Sequence, residues 1–182
     1  PRPRCGVFTI QCNWFAEVGY GNTGEGGTLR DKMAKRKDAM IGSLREELEV
    51  VDPGFIGSPA DVQTAVRLFA EQEVDFALVL FSTWAEDFTL VRFLRDVDGR
   101  LPIVFYCFQA RELPFRENTG PQAEVDYLNN TSLVGSLQGS GSFGRIRGNQ
   151  ANWIAICGSL EEALPRIFTF AHAAAARSRL RS

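Results

Sequence analysis

The sequence predicts an α/β fold built on a doubly wound, five-stranded parallel sheet with strand order 2-1-3-4-5. Three observations predict it. Short apolar runs alternate with longer stretches of helical periodicity, five times along the 182 residues. The short runs are apolar throughout instead of alternating with polar residues, as expected of strands covered on both faces. Right-handed crossovers joining such strands give a parallel sheet with helices on each side.

Taken in order, CGVFTIQ (5–11) reads as the first strand. LRDKMAKRKDAMIGSLREEL (29–48) sets Leu29, Met33, Met40, Ile41, Leu44 and Leu48 near one helical face, with Thr28 placed to cap it. EVVDPG (49–54) is a short second strand stopped by Pro53-Gly54, and PADVQTAVRLFAEQE (59–73) is a helix with Pro59 near its start and Val62, Val66 and Phe69 on one stripe. DFALVLFS (75–82), EDFTLVRFLRDV (86–97) and PIVFYCF (102–108) read as strand, helix and strand. The stretch 124–146 has helical spacing early, but Gly135, Gly139, Gly141 and Gly144 weaken that reading. NWIAICG (152–158) is the fifth strand, and 161–180 is a last helix whose regular part is expected to begin at Pro165. The number of units suits the flavodoxin-like order, with a switch point between strands 1 and 3.

Composition narrows the function classes. An apolar fraction of 45% and a charged fraction of 23% are ordinary for a globular protein, and a net charge of −2 gives no pull toward nucleic acid or anionic membrane. No apolar run approaches the roughly 20 residues that span a bilayer. The N-terminus runs straight into a strand-like stretch without a signal-peptide pattern. Cys5, Cys12, Cys107 and Cys157 form no C-x-x-C pair and read as buried reduced thiols, so the expected location is cytoplasmic. The chain reads as a single domain over 1–182, and its helical end AAAARSRLRS suits equally a tail or a connector into further domains of a longer chain.

Gly19-Tyr20-Gly21-Asn22-Thr23-Gly24 matches G-x-G-x-x-G, with Asp52 where a ribose-binding acid would stand. A dinucleotide fingerprint needs its first glycine directly after strand 1, at the mouth of the helix. Here Gly19 follows Gln11 by eight residues and Leu29 follows Gly24 by five, so a surface loop is the expected reading. The basic stretch Lys32, Lys35, Arg36 and Lys37 reads as a solvated helix face. His172, the only histidine, reads as a packed or edge residue, leaving no Ser-His-Asp or Cys-His arrangement. The acidic groups Glu46, Glu47, Glu49 and Glu161, Glu162 do not resemble a metal cage.

The carboxyl ends of the strands carry a more suggestive set. Gln11 and Trp14 follow strand 1, Ser82, Thr83 and Trp84 close strand 3, Gln109 closes strand 4, and Asn129, Asn130, Thr131 and Ser132 come after it. Amides and hydroxyls hydrogen-bond sugar hydroxyls, and indole faces cover sugar C–H surfaces; ordinary loop chemistry, in which Asn and Ser are common, accounts for the same composition equally well. The substrate-side candidates are therefore Gln11, Trp14, Trp84, Gln109, Asn129 and Ser132; no residue is assigned a catalytic or metal-ligating role.

"LPIVFYCFQARELPF" followed by "VDYLNNTSLVGSLQGSGSFGRI" resembles the N-terminal domain of the L-arabinose and L-fucose isomerase family. Pro102, Gln109, Pro114-Phe115, Asp126 and Asn129 occupy the places of that family's strand-initial Pro, its Gln, its Pro-aromatic pair, its Asp and its Asn-rich segment. "VDFALVLFSTWAEDFTL" resembles the family's third strand and the helix after it. The resemblance implies a flavodoxin-like domain that shapes a sugar site and closes a neighbouring subunit's active site in a homo-oligomer. The divalent metal, usually manganese, and the catalytic carboxylates lie in later domains of the parent enzyme. It also implies that Gln11 falls near a substrate-side glutamine. Ser132 and Gly135 stand where arabinose isomerases carry a Gln and a His, and Ser82-Thr83-Trp84 replaces a His-Thr-Phe, so a divergent member is expected. This segment alone should be catalytically inert and hold no cofactor. The alternative is a self-contained module that binds a sugar or a phosphorylated small molecule.

Overall fold

The computed structural model describes residues 1–14, 28–112, 121–148, 150 and 152–180. In chain order they form β1 (Arg4–Ile10), α1 (Leu29–Leu44), β2 (Glu49–Val51), β3 (Phe55–Ile56), α2 (Pro59–Glu71), β4 (Phe76–Phe81), α3 (Phe88–Asp96), β5 (Ile103–Phe108), α4 (Pro121–Asn130), α5 (Leu133–Arg147), β6 (Trp153–Gly158) and α6 (Leu160–Arg179). The glycine-rich segment 19–24 and the Pro114-Phe115 pair lie outside the described residues.

The sheet runs β2-β1-β4-β5-β6, parallel at every pairing, and β3 also pairs with β1. β2 and β3 are two halves of one strand position. Arg4 to Gly6 of β1 align with Glu49 to Val51, and Thr9 and Ile10 align with Phe55 and Ile56. Pro53 brings no N–H to a ladder, and Gly54 sits at φ 97°, a conformation that favours glycine. The expected second strand is therefore interrupted at Asp52–Gly54 and resumes, while the expected order of five positions stands.

Both faces of the sheet are covered, which is why the strands read as continuous apolar runs. Phe8, Ile10, Ala77, Val79, Phe81, Ile103 and Phe105 pack against Val62, Phe69, Leu90, Phe93 and Phe143 of α2, α3 and α5. Their alternates Cys5, Val7, Phe76, Leu78, Leu80, Val104 and Tyr106 pack against Met40, Leu44, Ile167 and Ala171 of α1 and α6. A third cluster joins Leu29 and Met33 of α1 to Val125 and Leu128 of α4.

Two helices differ from expectation. Residues 124–146, weakened on propensity by four glycines, fall in α4 and α5 apart from the junction at Thr131 and Ser132. Packing explains why α5 persists. A Cβ on Gly135 would lie 2.1 Å from the Thr83 carbonyl oxygen, and one on Gly139 would lie 2.7 Å from the Phe81 ring. The glycines let α5 press onto the end of β4, and that burial outweighs their entropic cost of roughly 1 kcal/mol each. The final helix starts at Leu160 and not at Pro165, because Ser159 caps it. Its Oγ accepts the Glu162 N–H at 3.3 Å, and the Glu162 carboxylate accepts the Ser159 N–H at 3.1 Å. Pro165 is internal and costs one helical hydrogen bond to the Glu161 carbonyl.

Candidate functional site

In a doubly wound sheet, crossovers leave in opposite directions from one point, and the carboxyl ends of the strands open a crevice there. Here that point lies between β1 and β4, whose ends are joined by the Ser82 N–H donating to the Ile10 carbonyl at 2.8 Å. Five buried polar atoms gather around these ends without a hydrogen-bond partner among the described residues: Thr9 Oγ1, Gln11 Oε1, Ser82 Oγ, Thr83 Oγ1 and Asn129 Oδ1. Folded proteins leave few such groups, since each costs about 1–3 kcal/mol of desolvation. Their concentration at one edge marks a place where water or a ligand completes the hydrogen bonding. A cavity of about 30 Å³ between Thr9, Arg36, Ser82, Tyr106 and Phe108 has room for a water or the tip of a polar group.

The cations of α1 enter this region. Thr28 and Asp31 cap the helix reciprocally, Thr28 Oγ1 accepting the Asp31 N–H at 3.2 Å and Asp31 accepting the Thr28 N–H at 3.0 Å. These bonds hold the Asp31 carboxyl below its ordinary range. From that start, Leu29, Met33, Lys37, Ile41 and Leu44 share the buried face. Lys37 Nζ meets Asp52 at 2.6 Å and lies 5.0 Å from the Phe55 ring centroid. Lys32 meets Asp126 of α4 at 3.2 Å. The Arg36 guanidinium donates to the Asn129 and Ser82 carbonyls, and its Cζ stands 4.8 Å from the Phe108 ring centroid. No carboxylate pairs with Arg36 among the described residues, and burial lowers its pKa to about 10. The basic stretch is thus not a solvated face, apart from exposed Lys35. Three of its cations turn inward because each has acceptors waiting on another element. Asp52, the would-be ribose acid, is held by Lys37 and by the Gly54 N–H at 3.0 Å.

The junction between α4 and α5 is laced to the end of β5. Gln109 and Thr131 form an antiparallel bridge, and Thr131 Oγ1 donates to Gln109 Oε1 at 2.7 Å. Ser132 is fully buried; its Oγ accepts the Phe108 N–H at 2.8 Å, and its own N–H donates to the Phe108 carbonyl at 2.8 Å. Of the six predicted residues, then, Gln109, Asn129 and Ser132 are gathered at the β5 end, with Ser132 beneath the surface as a splice. Gln11 is buried at the end of β1, its N–H donating to the Ile56 carbonyl at 2.9 Å. Trp84 is half-buried after β4, and Trp14 stands 63% exposed after β1. Sequence reading missed Thr9, Arg36 and Lys37. Lys37 was signalled by its place midway between Met33 and Ile41 in the apolar stripe; Arg36 had no such signal.

Exposed apolar side chains also collect on this side. Phe88 opens α3, and Val134 and Leu137 lie in the first two turns of α5, which like α3 begins at the carboxyl edge. His172 lies elsewhere, exposed on α6 and 3.5 Å from Glu47 near the start of β2. Cys5 and Cys107 are buried, but Cys157 is exposed, against the expectation for all four thiols. Among the described residues no three His, Cys, Asp or Glu side chains converge as a metal site. Among them, too, no helix is long and apolar enough to cross a membrane. No family model matches the chain, and no curated protein matches it.

Proposed function

We propose that this domain is the N-terminal part of a metal-dependent aldose–ketose isomerase, shaping a sugar site and a subunit contact without catalysing the reaction alone. The observation that carries the reading is the set of unpartnered polar atoms at the β1 and β4 ends, beside a half-buried and an exposed indole. Hydroxyl-rich ligands supply both donors and acceptors to such atoms, and their C–H faces suit Trp14 and Trp84. Isomerisation moves a proton or hydride between adjacent carbons while a metal or acid–base pair polarises the oxygens. That chemistry is assigned to residues of the parent chain beyond 182, and the residues here bind and orient. The expected location is the cytoplasm, with the domain in a homo-oligomer whose contacts include the apolar rim at Phe88, Val134 and Leu137. The test is aldose–ketose interconversion by the full-length protein with manganese, with residues 1–182 inert and Gln109→Ala in the full chain raising KM. Turnover by residues 1–182 alone contradicts the reading.

A second reading is favoured by Arg36, whose buried charge has no carboxylate partner among the described residues. A phosphorylated or carboxylated small molecule would supply the missing anion, making the domain a self-contained binding module. Saturable binding of a sugar phosphate to residues 1–182, abolished by Arg36→Met, separates this reading from the first.

A further inference from the structure

Cys107 and Cys157 are fifty residues apart in sequence and directly opposite one another in the register of β5 and β6. Strand alternation puts them on one side of the sheet. Cys107 shares the side of Phe105, which stacks on Phe143, and Cys157 shares that of Trp153, which meets the same Phe143 ring edge-on. Neighbouring strands lie about 4.8 Å apart, inside the Cα separation of roughly 4.4–6.8 Å that a disulfide spans. Burial, followed by the nearby Cys107 thiol, raises the pKa of Cys157, so its attack is slow at neutral pH and quickens as pH rises. Access is unequal: Cys157 is exposed on the edge strand, whereas Cys107 is buried.

We infer that Cys107 and Cys157 form a reversible dithiol–disulfide site, with Cys157 the attacking thiol, Cys107 the resolving thiol, and a small-molecule disulfide such as glutathione disulfide the oxidant. The Cys157 thiolate attacks one sulfur of glutathione disulfide. A Cys157–glutathione bond forms, and one glutathione leaves as a thiolate that takes up the proton Cys157 lost. Cys107 then attacks the Cys157 sulfur, the mixed disulfide breaks, and the second glutathione leaves with the proton from Cys107. The protein loses two electrons and two protons, and one glutathione disulfide becomes two glutathiones. Closure needs only side-chain rotation and a small approach of the edge strand β6, because the strand spacing already lies in the range of ordinary disulfides. The exposed side of the bond at Cys157 keeps it within reach of a reducing thiol, which suits a reversible site. Closure also acts two residues before Gln109 and one before Gly158, whose carbonyl accepts the Gln109 N–H at 2.9 Å, and so reaches the β5 end of the rim.

The experiment is incubation of the native protein with glutathione disulfide, followed by alkylation and peptide mass mapping. The expected product is a crosslink between the peptides holding Cys107 and Cys157, two hydrogens lighter than the reduced pair and fully reversed by dithiothreitol. Cys107→Ser should stop at glutathionylated Cys157, and Cys157→Ser should leave Cys107 unmodified. Wild type that stops at the mixed disulfide, that links Cys157 to Cys5 or Cys12 instead, or that does not react while the urea-unfolded chain does, overturns the inference. The wild-type map decides the matter even where a serine variant fails to fold.

Discussion

Two arginines, one at each edge of the sheet, are held in opposite ways. At the amino edge Arg147, 1% exposed, ends α5 and donates to the Gly99 carbonyl at 2.5 Å and to Gln150 Oε1 at 2.9 Å. Burial lowers its pKa, and the nearby Asp98 carboxylate opposes that shift. Asp98 is itself held low by Arg100, and Arg4 at the same edge pairs with Glu49 and Glu73. At the carboxyl edge Arg36 has carbonyls and a ring but no carboxylate, and unpartnered hydroxyls and amides surround it. A group of like kind is compensated at one edge and left open at the other. The amino edge is built for stability. The carboxyl edge carries several buried polar groups that water or a ligand must satisfy.

The predictions sharpen that contrast, from the largest effect down. Where α5 presses on the carboxyl edge there is no spare space, so Gly135→Val should destabilise the fold by about 3 kcal/mol, read as a lower urea midpoint. Arg147→Met leaves the Gly99 carbonyl and Gln150 without their donor and should cost about 2 kcal/mol. Arg36→Met removes a desolvated charge along with its two bonds and should cost less; a larger loss from Arg36→Met than from Arg147→Met, in parallel urea melts, breaks the comparison. Thr28→Ala should cost about 1 kcal/mol through the lost cap on α1.

Acid gives a further test. Asp31, Asp98 and Glu162 are held below their ordinary values by hydrogen bonds from Thr28, Arg100 and Ser159. A depressed carboxyl stabilises the fold fully above its unfolded value and loses that contribution as pH falls through the folded one. Their share of stability should therefore fade below about pH 4, measured as a falling Tm that Asp31→Asn flattens in part. The smallest effect is a gain: Gly144→Ala, facing open space inside α5, should stabilise by about 0.5–1 kcal/mol.

What the sequence made legible follows from what is local. Unbroken apolar runs such as FALVLF announced strands covered on both sides, and Thr28 announced the start of α1 three residues ahead of its partner Asp31. The interruption at Pro53-Gly54 was legible as a stop but not as a pause, because the resumption at Phe55 depends on β1 lying alongside. Partners distant in sequence hid the rest. Lys32 turns inward for Asp126, 94 residues away, and Arg36 for Asn129 and Ser82, so a run of cations on a helix read as solvent-facing. Gly135 and Gly139 of α5 are costly in isolation and favourable only against Phe81, Thr83 and Leu90. Of the candidate site, the polar rim was readable because it follows from where strands end. The buried cations behind it were not.

The most direct measurement is a two-dimensional NMR titration of the protein with aldoses and sugar phosphates, following indole and side-chain amide signals. The account predicts saturable shifts at Trp14, Trp84, Gln11, Gln109 and Asn129, with Asn152 and Gln150 at the amino edge unmoved. Shifts centred on the amino edge, or none at the carboxyl edge with any of these ligands, would contradict it.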